Sequence, residues 1–265
     1  MDIDLFAIDV DGTLLVDDFR VPKRVISSLL HLEKTGVKVV LVTARGPSGV
    51  RPVLEQLNTS PCVACFNGAW IGSVEEGGTI LNEVFIDQPS PVDLWQTAEH
   101  AGLDAILYSG NVAFTNSQTK FVNHELGVTG EKVLPIDQFE AGNYQAHKLM
   151  VCSQDLEALS TFRKDIAVSQ SLSISISESG LLEVTALGAD KASAIRFLAE
   201  KFGTHMHRVA AIGDNENDIG LLKAAGVGIA VANARDDVKS AAQWVVASNT
   251  ECGVAEATER LLEEM

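Results

Sequence analysis

The segment Leu5-Phe6-Ala7-Ile8-Asp9-Val10-Asp11-Gly12-Thr13-Leu14 carries a short apolar run straight into an acidic, glycine-bearing turn. The run Leu5 to Val10 reads as a buried strand. In open α/β sheets, ligands bind outside the carboxyl ends of the strands. Two acids separated by one residue can both project there once the chain leaves the strand. Gly12 permits a tight turn and close backbone approach to a ligand. The functional reading makes Asp9 a nucleophile and Asp11 a proton shuttle; the plainer one is an exposed acidic turn.

Working outward, Pro22 to Lys34 has helical periodicity through Val25, Leu29, Leu30 and Leu32, with Gly36 as its stop. Val37 to Val42 is a second apolar strand, Pro47 to Leu57 a helix, and Cys62 to Phe66 a third strand, read within Pro61–Phe66. This alternation implies a parallel sheet with right-handed crossovers. It breaks after Asn67. Gly77-Gly78 suggests a hairpin, and Gln88-Pro89-Ser90-Pro91 is the clearest linker. A mixed pattern follows: a helix over Leu94–Ala101, strands over Ala105–Tyr108, Val112–Thr115 and His147–Cys152, and a helix over Leu156–Ile166. Ser171 to Ser177 alternates serine with Leu or Ile, a period-two strand with one wet face. The first rhythm resumes near Asp190 with helix Lys191–Lys201, strand Arg208–Ile212, helix Asn217–Ala225 and strand Val227–Val231. Helix Arg235–Ala242, strand Trp244–Ala247 and helix Glu251–Glu264 complete it. The predicted fold is α/β: a doubly wound, mainly parallel, Rossmann-like sheet over 1–86 and 186–265, with an α+β unit inserted over 87–185.

The chain has 265 residues, 46% of them hydrophobic, and a net charge of −16. That charge argues against nucleic-acid binding, which needs a basic surface to displace counterions. An acidic protein can bind phosphate only with local help from a metal, a lysine and backbone N–H groups. No basic, apolar leader opens the sequence, and no stretch is long and apolar enough to span a membrane. These features predict a cytoplasmic protein with no membrane partner; they leave the oligomeric state unread. Of four cysteines, Cys62 and Cys65 form a C-x-x-C. On a strand, residues three apart face opposite sides, so a buried-strand reading is preferred to redox or zinc chemistry.

Three further features fall at the same sheet edge. Gly213-Asp214-Asn215-Glu216-Asn217-Asp218 follows an apolar strand and can hold a hard cation through oxygen ligands. It could equally be a solvated helix cap. Thr43, ending the second strand in Thr43-Ala44-Arg45-Gly46, can grip a phosphate oxygen, though a plain turn looks the same. Lys191 starts a helix, where the macrodipole mildly disfavours a cation. A ligand contact would explain it, and so would a solvated side chain.

Together, the order acid pair, hydroxyl, lysine, acid cluster resembles the haloacid dehalogenase superfamily of phosphohydrolases. Within it the chain looks like the Cof-like group, which carries a large α+β (type IIB) cap. The resemblance covers essentially the whole length, and Asn67-Gly68-Ala69 and Asn233-Ala234 also match. It implies that Asp9 forms an aspartyl-phosphate, and that Asp11 protonates the leaving alcohol and then activates water. It implies Mg2+ held by the Asp9 carboxylate, the Asp11 carbonyl and Asp214, with Asp218 orienting that shell or binding through water. Thr43, Lys191 and Asn217 would hold phosphoryl oxygens, and Arg45, Asn67 and Lys148 are candidate substrate contacts. Ala44 and Ala192 stand where such sequences commonly carry glycine.

Asp11 suits ester hydrolysis. A dehalogenase needs no leaving-group acid, and the ion-pump relatives carry Thr there. A phosphosugar mutase must hold a second phosphate, most simply with cap arginines. Residues 87–185 contain one arginine, Arg163, and four lysines against 13 acids, which argues against it. Lys148 and His147 could still serve one distal anion. A non-catalytic phospholigand sensor is opposed by the retained Asp9 and Asp11. The expected partner is a small phosphorylated metabolite. A sugar phosphate leads, with pyridoxal phosphate, nucleotide-derived, mannosyl-phosphoglycerate-like and phosphoglycolate substrates also open.

Overall fold

A computed structural model describes residues 2–58 and 62–265. Met1 and Pro61, read above with the N-terminus and the third strand, lie outside them. The chain opens with strand β1 (Leu5–Ile8), helix α1 (Lys23–Lys34), β2 (Lys38–Val42), α2 (Pro47–Leu57) and β3 (Val63–Cys65). It then turns back through β4 (Trp70–Gly72) and β5 (Ile80–Glu83). The middle of the chain forms α3 (Pro91–His100), β6 (Asp104–Ser109), β7 (Val112–Phe114), α4 (Lys120–Thr129), β8 (Lys132–Leu134), α5 (Asp137–Ala141), β9 (Lys148–Cys152), α6 (Leu156–Ile166), β10 (Leu172–Glu178) and β11 (Leu181–Ala186). It closes with α7 (Lys191–Lys201), β12 (Val209–Gly213), α8 (Ile219–Ala224), β13 (Val227–Val231), α9 (Asp236–Ala241), β14 (Trp244–Val246) and α10 (Gly253–Glu264).

Among the described residues one sheet has the order β14-β13-β12-β1-β2-β3-β4-β5. It is parallel from β14 to β3 and antiparallel at β3–β4 and β4–β5. Strands β1, β12 and β13 are buried along their whole length, as both-face cover demands. From β1 the chain steps one way to β2; from β12 it steps the other way to β13. Right-handed crossovers therefore put α1 and α8 on opposite faces. Helix α1 packs on α10, and α8 packs on α7 and α9. The order reverses between β1 and β12, the position where such sheets open a crevice at their carboxyl ends.

The second sheet has the order β10-β11-β9-β6-β7-β8. One face packs Leu107, Leu149, Val151, Leu182 and Val184 with Leu94 of α3 and Phe162 of α6. On the other, Ile106, Tyr108, Met150 and Cys152 join the hydrophobic cluster of the first sheet. The second sheet thus has α3 and α6 on one side, and α4 and the first sheet's cluster on the other.

Several elements differ from the sequence reading. Phe66 and Asn67 have φ of 49° and 56°, so the third strand stops at Cys65. Pro89 and Ser90 are linker, but Pro91 already begins α3. Residues 216–218 form a 3₁₀ turn before α8 rather than its first turn. Elements α4, β8, α5 and β11 have no counterpart in the periodicity. The alternation of β10 is as read: Ile174 and Ile176 pack on the second sheet's cluster while Ser173, Ser175 and Ser177 are half-buried, and the Ser177 carbonyl accepts from the Asn215 side chain beside the first sheet. No helix among the described residues is long and apolar enough to cross a membrane. The four cysteines are unbonded. Burial pushes the Cys62 thiol up to about 11 and holds Cys65 well above the usual thiol range, so the pair is poorly suited to thiolate chemistry.

Phe114 is fully buried, edge-on to Phe139 with ring centroids 5.2 Å apart, and 4.7 Å from the Tyr144 ring. Phe114→Ala should cost about 3–5 kcal/mol. Hydrogen exchange should report it as faster opening of the β6, β7 and β9 amides, with β1, β2 and β12 left protected.

Candidate active site

Strand β1 delivers Asp9 to the carboxyl edge, and the Asp9 amide bonds the Ile212 carbonyl of the neighbouring β12 at 3.0 Å. The chain then winds through residues 10–14, where Gly12 has φ 74°. A side chain there would collide with the Asp214 carboxylate, so only glycine lets the two loops approach. Thr13 Oγ1 donates to Asp214 Oδ1 at 3.0 Å, and Asn233 Nδ2 donates to the Gly12 carbonyl at 2.7 Å. The loops after β1, β12 and β13 are thereby tied together.

Helix α7 supplies the cation. The Asp190 carboxylate accepts from the Ser193 amide and caps the helix, fixing Lys191 at its first position. Lys191 is 1% exposed, and its Nζ donates to Asp9 Oδ1 at 2.6 Å and to Asp218 Oδ1 at 2.7 Å. The solvated-lysine reading is therefore wrong. Asp218 is fully buried; its Oδ2 accepts from the Asp214 and Asn215 amides, both at 3.1 Å. Both of its oxygens are thus engaged by Lys191 or by the loop it braces. Oxygens of Asp9, Asp214 and Asp218 lie within 4.8 Å of one another, as a metal site requires.

This crowding perturbs the carboxylates. Burial holds the Asp9 carboxyl well above the usual range; Lys191 opposes the shift, while Asp218 and Asp214 add to it. Burial and then Asp218 push Asp214 up to about 6. Burial alone would lower Lys191, but Asp218 and Asp9 outweigh it, and the ammonium is held firmly charged.

Asp9, Asp11, Arg45, Lys148, Asp214 and Asn217 line one cavity of about 170 Å³. Thr43 and Asn67 are buried beside it without lining it. Thr43 Oγ1 accepts from the Arg45 amide at 3.1 Å. Arg45 is buried, not a surface arginine. It donates to both Asp11 oxygens, at 2.7 and 2.5 Å, and to the Gly49 carbonyl at 3.0 Å. Lys148 and His147 are buried as well, rather than solvated at a strand end. Lys148 Nζ donates to the Ala44 carbonyl at 2.7 Å and to Glu183 at 2.9 Å. Asn67 Nδ2 donates to the other Glu183 oxygen at 2.5 Å, and its Oδ1 accepts from Asn217 at 3.1 Å. His147 does not line the cavity; its Nδ1 accepts from the Gly110 amide and its Nε2 is paired with Glu83 at 3.1 Å.

Ala44, Gly46 and Asn215, from the motifs read above, also line the cavity, whereas the wall residues from α4 and the second sheet, other than Lys148, escaped the sequence reading. Phe121, His124 and Glu125 come from α4, Tyr108 from β6, Ser177 from β10, and Ser179, Leu181 and Glu183 from the β10–β11 turn and β11. None sits in a motif. Only the polar face of the alternating serine strand hinted at Ser177.

A family profile described as haloacid dehalogenase-like hydrolase matches residues 6–257. The chain is 31% identical over 255 residues to a putative phosphatase of Haemophilus influenzae, covering 93% of this chain and 94% of that one. It is 29% identical over 261 residues to a 5-amino-6-(5-phospho-D-ribitylamino)uracil phosphatase of Bacillus subtilis, covering 97% and 95%. A solved haloacid dehalogenase-like hydrolase from B. subtilis superposes with a TM-score of 0.89 at 26% identity, over 98% of this chain and 100% of that one.

Removing the cation between two buried carboxylates leaves them uncompensated. Lys191→Met should lower stability at neutral pH by about 3–5 kcal/mol, measured by chemical denaturation.

Proposed function

The chain belongs to the haloacid dehalogenase-like hydrolases, and we propose that it is a Mg2+-dependent phosphatase acting in the cytoplasm on a small phosphate monoester, with a sugar phosphate as the leading substrate class. Residues 1–86 and 186–265 form the catalytic unit in this reading, and 87–185 the cap. The observation that carries it is Asp9, whose Oδ1 is held by the buried Lys191 while the residue fronts the cavity. One side of the carboxylate is charge-compensated and fixed, as a nucleophile must be.

Asp9 attacks phosphorus, and the bond to the leaving oxygen breaks with its electron pair. Asp11 gives that oxygen a proton, then takes one from the water that displaces phosphate from Asp9. Lys191 and the Thr43 loop stabilise charge on the phosphoryl oxygens. Arg45 holds Asp11 in position through its two-pronged contact. Asn217 reaches the phosphoryl group from the other loop. The site fits a hard divalent cation: three carboxylates converge, and two resist ionisation without one. The Asp9 and Asp214 carboxylates and the Asp11 carbonyl would hold it, with Asp218 orienting them. When bound, Mg2+ offsets the repulsion between Asp9 and the substrate's phosphate.

The mutase alternative finds little support. Lys148 is the one Lys or Arg that the insert contributes to the cavity wall, and Glu183 already pairs it. Arg163 is engaged elsewhere, with Glu216 at 2.6 Å.

Asp9→Asn should reduce kcat on 4-nitrophenyl phosphate by roughly 10³-fold or more while the protein stays folded. A phospholigand sensor would show no turnover in either form. Metal dependence should appear in stability too. Asp214 is raised from 3.8 to about 6 in the folded protein. Between those values the metal-free native state binds more protons than the unfolded chain. Its stability therefore falls as pH rises through this window and stays reduced above it. Mg2+ should raise Tm at about pH 7.5, and calorimetry should find that gain shrinking as pH falls through about 6.

A further inference from the structure

Glu183 stands in the wall of the catalytic cavity, 2% exposed, yet takes no part in the chemistry of Asp9 and Asp11. Both of its oxygens are engaged: one accepts from Lys148 Nζ at 2.9 Å and the other from Asn67 Nδ2 at 2.5 Å. A carboxylate paired with an ammonium can only accept hydrogen bonds, whereas a side-chain amide has a donor end and an acceptor end. Glu183 therefore dictates which end of Asn67 faces it. The nitrogen turns to the carboxylate, and Oδ1 is left for Asn217, whose Nδ2 donates to it at 3.1 Å. One charge thus sets the polarity of two amides in series.

The middle of this chain is firmly placed. Asn67 has φ of 56°, a left-handed conformation that asparagine tolerates, and its backbone N–H donates to the Thr43 carbonyl at 2.9 Å. At the far end, Asn217 lines the cavity, while its Oδ1 is buried with no hydrogen-bond partner. With the oxygen shut away, only the nitrogen of that amide can serve a ligand in the cavity. One of its hydrogens goes to Asn67, and the second is left for an anion. The unpaired oxygen is destabilising. Reversing the amide would not relieve it, because the two asparagine oxygens would then face each other.

We propose that Glu183 is a positioning residue for phosphoryl transfer: through Asn67 it holds the Asn217 amide with its nitrogen toward the phosphate. The assignment rests on the phosphatase reading and deepens it. Glu183 belongs to β11 of the insert, and Asn67 and Asn217 to loops of the first sheet. The donor is therefore oriented only while the insert sits over the site.

A double-mutant cycle in kcat/KM for 4-nitrophenyl phosphate with Mg2+ tests it. In Glu183→Gln, Lys148 claims the remaining oxygen, the new amide nitrogen faces Asn67, and both asparagines are driven to reverse. The rate should fall roughly 10- to 100-fold in the wild-type background and less than about 3-fold in Asn217→Ala. A role confined to seating the insert would give the same factor in both backgrounds, and that result overturns the assignment. Adding Asn67→Asp to Glu183→Gln moves the carboxylate one place along the chain and restores an acceptor to Asn217. This double variant should recover to within roughly 10-fold of wild type; a folded double variant as slow as Asn217→Ala overturns the assignment too. Without any change at Glu183, the Asn217 side-chain N–H resonances, assigned by their loss in Asn217→Ala, should shift when Mg2+ and inorganic phosphate are added. Unmoved resonances sink the proposal even where the variants fail to fold. If wild type cleaves the ester and the cycle shows no coupling, only the role of Glu183 falls. If wild type cleaves nothing, the phosphatase reading falls and takes this one with it.

Discussion

The ammonium of Lys191 between Asp9 and Asp218 is the constraint on which the rest of the molecule depends. It joins three elements that are distant in sequence: the end of β1, the start of α7 and the turn after β12. Asp9 and Lys191 are 182 positions apart. The contact can form only when the chain's two flanking segments build one sheet, with β12 against β1. A buried ion trio of this kind does little for net stability compared with well-packed hydrophobic residues, but breaking it leaves charges that the interior cannot tolerate. Its geometry is therefore held by everything around it: the Asp190 cap on α7, the two backbone amides on Asp218, and Gly12, whose missing side chain lets Asp214 approach.

A second buried polar network sets the insert over this site. Lys148 and Glu183 come from the insert's sheet; Ala44, Asn67 and Asn217 come from the loops of the first. Such a network is specific because its bonds can form together in only one relative position. Apolar side chains of the insert, Ile106 and Met150 among them, join the first sheet's cluster. They supply area without register; the polar bridge supplies register. The loop carrying Thr43 and Arg45 is in this way tied to both halves of the protein.

The first sheet was legible because parallel strands covered on both faces are continuous apolar runs, and because such sheets gather chemistry at their carboxyl ends. Asp9, Asp11, Thr43, Lys191 and Asp214 were assigned to one sheet edge by position alone, and the fold brings them together there. What each side chain touches was not legible. Arg45 and Lys148 looked like candidates for substrate, but in the fold their charges go first to Asp11 and Glu183. A pairing of that kind depends on tertiary approach across more than thirty residues, and local pattern carries no trace of it. Helix α4 was missed for a related reason. Its apolar residues, Phe121, Val122 and Leu126, pack against a cluster from the other sheet rather than forming a long stripe of their own. Wall residues such as Tyr108 gain their place only from where β6 sits beside β9.

The chain's charge of −16 looks at odds with an anionic substrate until distance is considered. At physiological salt, charges farther apart than about 8 Å are largely screened at the surface. The surface excess therefore matters little inside the cavity, and the local balance decides. At the carboxylate cluster itself, Asp9, Asp11, Asp214 and Asp218 stand against Lys191 and Arg45, two more negative charges than positive. The raised carboxyls of Asp9 and Asp214 are that excess expressed as resistance to ionisation. In the proposed reading, one divalent cation would match it in sign and size, and an incoming phosphate would then meet a charge-balanced cluster. Without the cation, the same residues would repel the group they are arranged to receive.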